Sequence, residues 1–438
     1  MAKHSNRRRA LVAGLPVVAL GAASMVALWQ GRRARRCANE LHPPAKAALP
    51  TSAPHISIIL PVRNEAAHID ACLASLTAQD YPNFSILVID DGSSDGTPQL
   101  LARWCERDAR VRVQRVEHLP PGWAGKAHAL HLGVTLAEGE WLLFTDADTR
   151  HEPQTLSLMM GHALEHQTDL LTMGMNVMTL SGPATPLLVP LTEVLLAHRL
   201  TPAQVRNPAS RRAFAFGQYM LLRKASYLRT GGYNTPEMRS CAVEDLALAE
   251  QLKHHGQRIE MVDGRGLLHN RQWTTWKSAF QGWSKSCYSE IVRSHLPLGG
   301  LPIALALIAF GLGPLGTLVY LAGQGRMRRA SFWLAALAVL AQIDTKRRWD
   351  RQYGLAPLWA LTAPLAWIIS GVMALDVTLR VLTGQRGSWK GRRIPHQERA
   401  RSLQARAALL PFTSTRHGRR YEDLSSPERA GNAAEGRA

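Results

Sequence analysis

The chain has 438 residues, more than one average domain, and carries 52 Lys and Arg against 33 Asp and Glu, a formal net charge of +19. Much of the positive excess lies beside long apolar stretches and in the C-terminal tail, where anionic lipid headgroups are the expected partner. No zinc-finger spacing or aromatic RNA-binding motif accompanies this charge, so we expect no nucleic-acid partner. The five cysteines are scattered and form no C-x-x-C pair, which argues against structural zinc and against a disulfide framework.

Three apolar stretches are long enough to span a bilayer: residues 10–29, 297–323 and about 354–384. Arginines flank the first stretch and no small-residue cleavage site follows it, so an uncleaved anchor is predicted rather than a signal peptide. A fourth stretch, 331–343, is short and fits a brief span, a re-entrant piece or an interfacial helix. The positive-inside rule predicts that the basic tail stays cytoplasmic. If the middle of the chain is cytoplasmic too, an even number of spans follows it, and 331–343 does not cross fully.

Between the spans, short apolar runs alternate with helical patterns, which predicts βαβ units and a parallel sheet. Strands are predicted at 56–60, 86–91, 111–116 and 140–145, and helices at 65–78, from 98 onward, and at 127–137. Further elements are predicted as an apolar helix at 187–200 (on the membrane or packed on the sheet), a strand at 214–222, a tight turn at 231–232, and a helix at 243–255 ended by Gly256.

These patterns divide the chain into five predicted segments. They are an N-terminal transmembrane anchor with basic flanks (1–36), a Pro/Ala-rich linker (37–54), an α/β domain (55–295), C-terminal membrane helices (296–384) and a basic, disordered tail (385–438).

Three acidic clusters stand out in the α/β domain. Asp90-Asp91 and Asp146-Ala147-Asp148 each follow a buried strand, and Glu244-Asp245 opens a helix. Ligands of open α/β sheets bind just beyond the carboxyl ends of the strands, so these carboxylates are predicted to face a common cleft. An extended backbone would place Asp146 and Asp148 on one side, and their hard oxygen atoms suit Mg²⁺ or Mn²⁺ bridging a diphosphate. For Asp90 and Asp91 the alternative is a turn and helix-capping cluster.

Four other residues are candidates for the same cleft. Lys126 begins a helix, and the helix dipole disfavours a cation there. Contact with a diphosphate or sugar would explain its position, and the alternative is a lysine that is simply exposed to solvent. Its loop lacks the glycines and hydroxyl residue of a Walker motif. Pro61, Arg63 and Glu65 end the first strand and are predicted to line a nucleotide pocket, although Glu65 could instead stabilise a helix N-terminus.

Residues 57–65 and 88–97 together resemble the opening of the family 2 glycosyltransferases. Asp146-Ala147-Asp148 matches the D-x-D of that family, and Glu244-Asp245 its later E-D. Residues 281–285 stand where many members carry a Q-x-x-R-W element. The resemblance covers about residues 55–290. The arrangement of one anchor before the domain and several spans after it is similar to that of the bacterial branch that acts on hopanoids and carotenoids.

The resemblance implies a GT-A-type fold, a doubly wound, mostly parallel α/β sheet with an N-terminal transmembrane anchor and C-terminal transmembrane helices. It implies metal-dependent, inverting transfer of a sugar from a nucleotide-sugar to a membrane lipid, with Mg²⁺ or Mn²⁺ as cofactor. Asp245 would be the general base, with Glu244 beside it as support, and Asp91 would contact the nucleotide. The expected location is the bacterial inner membrane, with the catalytic domain facing the cytoplasm.

The acceptor side is assigned to Gln281, Trp283 and Lys285, with Trp283 offering an aromatic face and Lys285 a cation near phosphate. Here the sequence departs from Q-x-x-R-W, because Trp283 follows Gln281 by two residues and Lys285 replaces arginine. This departure disfavours the first alternative, a processive polysaccharide synthase. The second alternative, a non-catalytic nucleotide-binding scaffold, would be favoured by loss of the acidic residues, which are all present. The histidines show no metal-ligand pattern in the sequence and are assigned no chemistry.

Overall fold

The structure, a computed structural model, describes residues 2–45, 49, 52–174, 177–178, 182, 184–241, 243–270, 275–293, 300–385, 388–389 and 392–393. For residues 2–16, 177–178, 193, 197–199, 286, 288–293, 388–389 and 392–393 it describes the backbone alone. Nearly all of the predicted tail, 385–438, lies outside the described residues, as does part of the predicted linker.

The strands of the described chain are β1 (Ile56–Val62), β2 (Phe84–Asp90), β3 (Val111–Arg115), β4 (Trp141–Phe144), β5 (Thr149–His151), β6 (Leu170–Gly174), β7 (Val177–Met178), β8 (Met220–Arg223), β9 (Ile259–Asp263), β10 (Leu268–Asn270), β11 (Ser388–Trp389) and β12 (Arg392–Arg393). Seven of them form the central sheet in the order β3-β2-β1-β4-β8-β6-β9. All neighbours in it are parallel except at β8, which runs antiparallel to both β4 and β6. A smaller sheet has the order β5-β10-β7. The prediction of a mostly parallel sheet is confirmed.

The helices are α1 (Ala2–Glu40), α2 (Ile69–Thr77), α3 (Thr97–Arg107), α4 (Gly125–Leu136), α5 (Thr155–Glu165), α6 (Ala184–Arg199), α7 (Pro202–Arg206), α8 (Lys224–Arg229), α9 (Pro236–Arg239), α10 (Glu244–His254), α11 (Trp276–Arg293), α12 (Gly300–Gly323), α13 (Ala330–Gln352) and α14 (Ala363–Leu382). Short 3-10 helices lie at Gly232–Asn234 and Pro357–Thr362.

The central sheet is buried on both faces, and successive residues of β1 show this. Ile58 and Leu60 belong to one buried apolar cluster, while Ile59 between them belongs to the other. Side chains of a strand point alternately to the two faces, so a strand with a core on each side is apolar throughout. The wholly apolar runs in the sequence therefore reflect a sandwich with helices on both sides.

The C-terminal helices pack closely through glycines. A Cβ on Gly311 of α12 would lie 2.5 Å from the carbonyl oxygen of Pro364, and one on Gly371 of α14 would lie 2.8 Å from that of Ala304. Small residues at such contacts are typical of helix pairs in membranes. Among the described residues, Gly300–Gly323 and Pro357–Leu382 are long and apolar enough to cross a bilayer, with mean hydropathies of 2.0 and 1.8. They coincide with two of the predicted spans.

The N-terminal helix runs beside α13. Ser24 Oγ donates to the carbonyl oxygen of Leu334 at 2.9 Å, and a Cβ on Gly31 would lie 3.1 Å from Thr345 Oγ1. The helix continues to Glu40, into the predicted linker. The short stretch 331–343 belongs to the 23-residue helix α13, because the charged residues after it continue the helix.

Two predicted elements are shorter than expected. The strand at 214–222 is confined to Met220–Arg223, because the chain turns just before it and the amide of Tyr219 closes on the carbonyl oxygen of Phe216. The helix at 65–78 begins at Ile69, because the amides of His68 and Ile69 both close on the carbonyl oxygen of Glu65 in a preceding turn.

Candidate active site

The candidate site lies at the carboxyl ends of β1, β2 and β4, as the sequence predicts. Asp90 ends β2, the D-x-D follows β4, and Lys126 lies in the first turn of α4. Glu244 and Asp245 open α10. Parallel strands deliver their ends to one edge of the sheet, and this edge is where α/β folds bind ligands.

Lys126 joins the D-x-D to the E-D. Its Nζ lies 2.7 Å from Asp146 Oδ1 and 2.6 Å from Glu244 Oε1. A cation in the first turn of a helix is disfavoured by the dipole, and these two carboxylates compensate for it. The structure therefore brings the two acidic motifs into one cleft. It also gives Lys126 carboxylate partners, where a diphosphate or sugar was predicted.

The Asp245 carboxylate is held by two backbone amides. Its Oδ2 accepts from Gly217 N at 2.9 Å, and its Oδ1 accepts from Leu246 N at 2.8 Å. A Cβ on Gly217 would lie 3.1 Å from that Oδ2 and 3.3 Å from Lys126 Nζ. Gly217 therefore permits the close approach that fixes Asp245. Gly217 was not predicted, because a glycine inside an expected strand carries no chemical signal.

The charges of the cleft drive the neighbouring carboxyl groups apart in pKa. Burial opposes ionisation of Glu244, but the positive charges of Lys126 and Lys285 outweigh it and lower the pKa of Glu244. Burial and then the negative charge of Glu244 raise the pKa of Asp245, against the attraction of Lys126. Burial acts to lower the pKa of Lys126, but Asp146 and Glu244 reverse this and raise it well above its ordinary value. Glu244 thus stays ionised, and Asp245 is the better proton acceptor.

The D-x-D occupies a turn between β4 and β5, and this corrects the expected extended backbone. The chain reverses there, with Thr149 N donating to the carbonyl oxygen of Asp146 at 3.2 Å. Thr145 and Thr149 brace the turn, since their hydroxyl oxygens lie 2.9 Å apart, and Thr145 Oγ1 also donates to the carbonyl oxygen of Gln218 at 2.8 Å. Both aspartates remain partly exposed.

The D-x-D residues fit a divalent metal ion. Asp146 and Asp148 supply hard carboxylate oxygens, and the Asp146 carboxylate already accommodates a cation, the Lys126 ammonium, at 2.7 Å. Burial raises the pKa of nearby Cys72, and the negative charge of Asp148 adds to that rise.

The predicted nucleotide residues build the loop after β2. Asp90 is buried, and its carboxylate accepts from Ser93 N at 2.8 Å and lies 3.4 Å from Arg115 Nη1. Arg63 donates to the carbonyl oxygens of Asp91 and Gly92. Both side chains thus shape the loop that carries Asp91, which is itself buried. Arg115 was not predicted.

Pro61 and Glu65 lie at the end of β1 and just beyond it. Pro61 is paired with Ile89 in the sheet. The backbone amide of Glu65 donates to Thr97 Oγ1 at 2.8 Å, which ties the end of β1 to the first residue of α3. Their backbones thus adjoin the loop that carries Asp91.

The three acceptor-side residues have different environments on α11. Gln281 is exposed and Lys285 is half-buried, close enough for its charge to act on Glu244. Trp283 is 5% exposed and packs in the core, so it does not offer the open aromatic face that was predicted.

The sequence of this chain is similar to one family model and to several known proteins. Residues 57–227 match the family described as Glycosyl transferase family 2. A 4,4'-diaponeurosporenoate glycosyltransferase of Staphylococcus haemolyticus is 24% identical over 241 residues, which cover 52% of this chain and 60% of that one. A PGL/p-HBAD biosynthesis glycosyltransferase of Mycobacterium bovis is 33% identical over 129 residues, 29% of this chain and 48% of that one. The chain thus spans less than two thirds of either relative.

Among solved structures, a mannosyltransferase from Pyrobaculum calidifontis in complex with GDP-Man and Mn²⁺ has a TM-score of 0.51 at 20% identity. The match covers 84% of this chain and 98% of that chain. The fold is thus GT-A-like, a mixed α/β fold with a mostly parallel central sheet. Within this fold, residues 57–227 are the part that is similar to the family 2 glycosyl transferases.

Proposed function

We propose that this protein transfers a sugar from a nucleotide-diphospho-sugar to a lipid acceptor at a membrane, with inversion at the anomeric carbon and dependence on a divalent metal. The observation that carries the proposal is the Lys126 bridge, which unites Asp146 of the D-x-D with Glu244 of the E-D. A donor-binding carboxylate set and a candidate base thereby share one cleft.

Asp245 is the proposed general base. Its carboxylate takes the proton of the acceptor hydroxyl while that oxygen attacks the anomeric carbon and the bond to the diphosphate breaks. The raised pKa of Asp245 strengthens it as a proton acceptor, and the backbone amides of Gly217 and Leu246 fix its orientation. Glu244 stays ionised and holds Lys126 in place.

Asp146 and Asp148 are the proposed ligands of Mg²⁺ or Mn²⁺. When bound, such an ion neutralises the negative charge that develops on the leaving nucleoside diphosphate. The P. calidifontis mannosyltransferase was solved with GDP-Man and Mn²⁺, which supports a nucleotide-sugar and a divalent ion for this fold. The loop around Asp91 is the proposed seat of the nucleotide.

A membrane lipid is the proposed acceptor, and two observations support it. Two helices have the length and composition of bilayer spans, and they leave large apolar side chains exposed, such as Leu312 and Leu365 at 55% and 50%. A relative is named as a 4,4'-diaponeurosporenoate glycosyltransferase, a carotenoid-type enzyme. We place the protein in the bacterial inner membrane with this cleft on the cytoplasmic side, where nucleotide-sugars are made.

The test is transfer of label from a panel of radiolabelled nucleotide-sugars to extracted lipids by the purified full chain in detergent. Metal-dependent label in the organic phase, abolished by EDTA and by Asp245→Asn, is the expected result. Label in an insoluble aqueous polymer would instead indicate a processive polysaccharide synthase. Donor binding without any transfer would indicate a nucleotide-binding scaffold.

A further inference from the structure

A second polar cluster lies on the opposite edge of the central sheet. It consists of His162 near the end of α5, His166 just after that helix, and Glu260 near the start of β9. β6 and β9 run in the same direction as β1, β2 and β4, so the start of β9 lies at the amino-terminal edge of the sheet. The candidate active site lies at the carboxyl-terminal edge. The cluster is therefore separate from the sugar-transfer machinery.

The donor atoms of the cluster have nearly the spacing of a metal site. His162 Nε2 lies 3.4 Å and His166 Nδ1 lies 3.9 Å from Glu260 Oε2, and all the donor atoms lie within 4.8 Å of one another. Ligands bonded to tetrahedral Zn²⁺ at about 2.0–2.2 Å stand roughly 3.3–3.6 Å apart. The four-residue interval places both rings on one side of the helix end, where they stack with centroids 4.2 Å apart.

The burial of His162 is the second observation. Its side chain is 5% exposed, and its buried Nε2 has only a long contact with the Glu260 carboxylate, at 3.4 Å. That separation exceeds an ordinary N–H···O hydrogen bond. A buried polar atom with so long a contact calls for an explanation, and a bound ion between the two groups is one. The positive charge of Arg206 also lowers the pKa of Glu260. The Arg206 guanidinium itself donates a hydrogen bond to the carbonyl oxygen of Glu40 at 2.9 Å.

The segment that leaves α1 docks on this cluster. Ala45 N donates to His162 Nδ1 at 2.9 Å, and Asp263 N donates to the carbonyl oxygen of His42 at 2.8 Å. Because His162 Nδ1 accepts a hydrogen bond, the proton of the neutral ring lies on Nε2. A metal ion at Nε2 requires that proton to move to Nδ1. Two N–H groups would then face each other, so the bond from Ala45 would break.

We propose that His162 Nε2, His166 Nδ1 and a carboxylate oxygen of Glu260 bind a borderline divalent cation, Zn²⁺ being the expected ion, and that binding releases Ala45 from His162. The nitrogen-rich donor set distinguishes this site from the all-carboxylate D-x-D, which prefers Mg²⁺ or Mn²⁺. The side chain of His166 is 45% exposed, which leaves an entry path and room for a water molecule as fourth ligand.

The first test is titration of the purified full chain with Co²⁺, followed by displacement with Zn²⁺. Four-coordinate Co²⁺ with nitrogen ligands absorbs visible light far more strongly than six-coordinate Co²⁺ on carboxylates, so the two sites are distinguished. We expect one strongly absorbing Co²⁺ per chain, lost in His166→Ala and in Glu260→Gln and retained in His254→Ala, a control from another histidine pair at a helix end. Equal absorption in all four proteins, or none in the parent, would overturn the site.

The second test is hydrogen exchange at the Ala45 amide with and without Zn²⁺. Exchange should accelerate at least tenfold on Zn²⁺ binding in the parent and stay unchanged in Glu260→Gln. Strong Co²⁺ absorption without faster exchange would overturn the coupling to the linker. Neither readout depends on sugar transfer, so failure here and failure of the proposed function are separable.

Discussion

At the scale of single residues, Lys126 determines the charge state of the cleft. Its ammonium group contacts Asp146 and Glu244, and its charge also acts on Asp245. In a partly buried site such interactions are stronger than in water. One lysine therefore keeps Glu244 ionised and limits the rise in the pKa of Asp245.

Replacing Lys126 by glutamine should lower kcat of sugar transfer by about 10²-fold, because the two acidic motifs lose the cation that holds them together. Initial rates at saturating donor measure the effect. The matched control is Lys277→Gln, an exposed lysine on α11, which should leave the rate unchanged. Equal rates for the parent and Lys126→Gln would contradict this role.

The pH dependence of kcat/KM should report Asp245. This carboxyl must be ionised to accept a proton, so the rate falls as pH drops through its pKa. Because that pKa is raised from the ordinary 3.8, the acid limb should lie above this value. In Lys126→Gln the limb should move to still higher pH, because Lys126 favours the ionised form. A shift to lower pH would be inconsistent with Asp245 as the base.

Gly217→Ala should lower kcat about tenfold while the protein stays folded. The new Cβ would lie 3.1 Å from Asp245 Oδ2 and 3.3 Å from Lys126 Nζ, and small displacements of catalytic groups are costly in rate. Gly313→Ala in α12 is the control, because a Cβ there meets nothing within 4 Å. Unchanged turnover in Gly217→Ala would show that the contact does not position the base.

At the scale of elements, glycines set how closely α12 and α14 approach. Adding a Cβ to Gly371 would bring it within 2.8 Å of the backbone oxygen of Ala304, an atom that cannot move independently of its helix. A side chain on Gly316 of α12 meets nothing within 4 Å. Gly371 therefore permits close helix packing and Gly316 does not, although both lie in apolar helices.

Gly371→Ala should destabilise the helix bundle by about 1–3 kcal/mol, because the overpacked helices must separate. Gly316→Ala should be neutral or slightly stabilising, because alanine favours the helix. Denaturation of the two variants in the same detergent gives the comparison. Equal stability of both variants would contradict the close packing seen here.

The sequence predicts some of these elements better than others. The apolar runs at 56–60 and 86–89 predict buried strands, because both faces of the sheet are covered. β6 and β9 were missed, since Thr172 and Glu260 interrupt their short apolar runs. The turn at Asp146 depends on hydroxyl contacts from Thr145 and Thr149, which a pattern of residue types does not reveal.

The residues of the candidate sites were also predicted only in part. Motif spacing predicted Asp146, Asp148, Glu244 and Asp245 as candidates for one cleft, and Lys126 links Asp146 to Glu244. The cluster of His162 and Glu260 was not predicted, because its members are 98 positions apart in the sequence (162 to 260) and meet only through the pairing of β6 with β9.

At the scale of the whole molecule, an α/β domain is joined to apolar helices, and the chain carries a net charge of +19. Exposed apolar side chains on the helices and positive charge beside them suit a protein held at an anionic bilayer. The proposed orientation places the α/β domain on the cytoplasmic side.

Cysteine labelling tests that orientation. Cys105 on α3 is exposed, whereas Cys37, Cys72 and Cys241 are buried and Cys287 is half-buried. A membrane-impermeant maleimide should label the protein at Cys105 in inverted membrane vesicles and not in right-side-out vesicles. Cys105→Ser, which should lose the label, is the control. Labelling in right-side-out vesicles would place the domain outside the cell.

The reversed direction of β8 bears on the order in which substrates bind. Because β8 runs antiparallel to β4, Phe144 pairs with Met220, and the loops that carry Asp146 and Gly217 leave the sheet side by side. Thr145 Oγ1 connects them through the carbonyl oxygen of Gln218. We therefore expect that any movement of the D-x-D turn on donor binding would reach the Gly217 amide that orients Asp245. Steady-state kinetics should accordingly follow a compulsory sequence in which the nucleotide-sugar enters first and the free nucleotide leaves last.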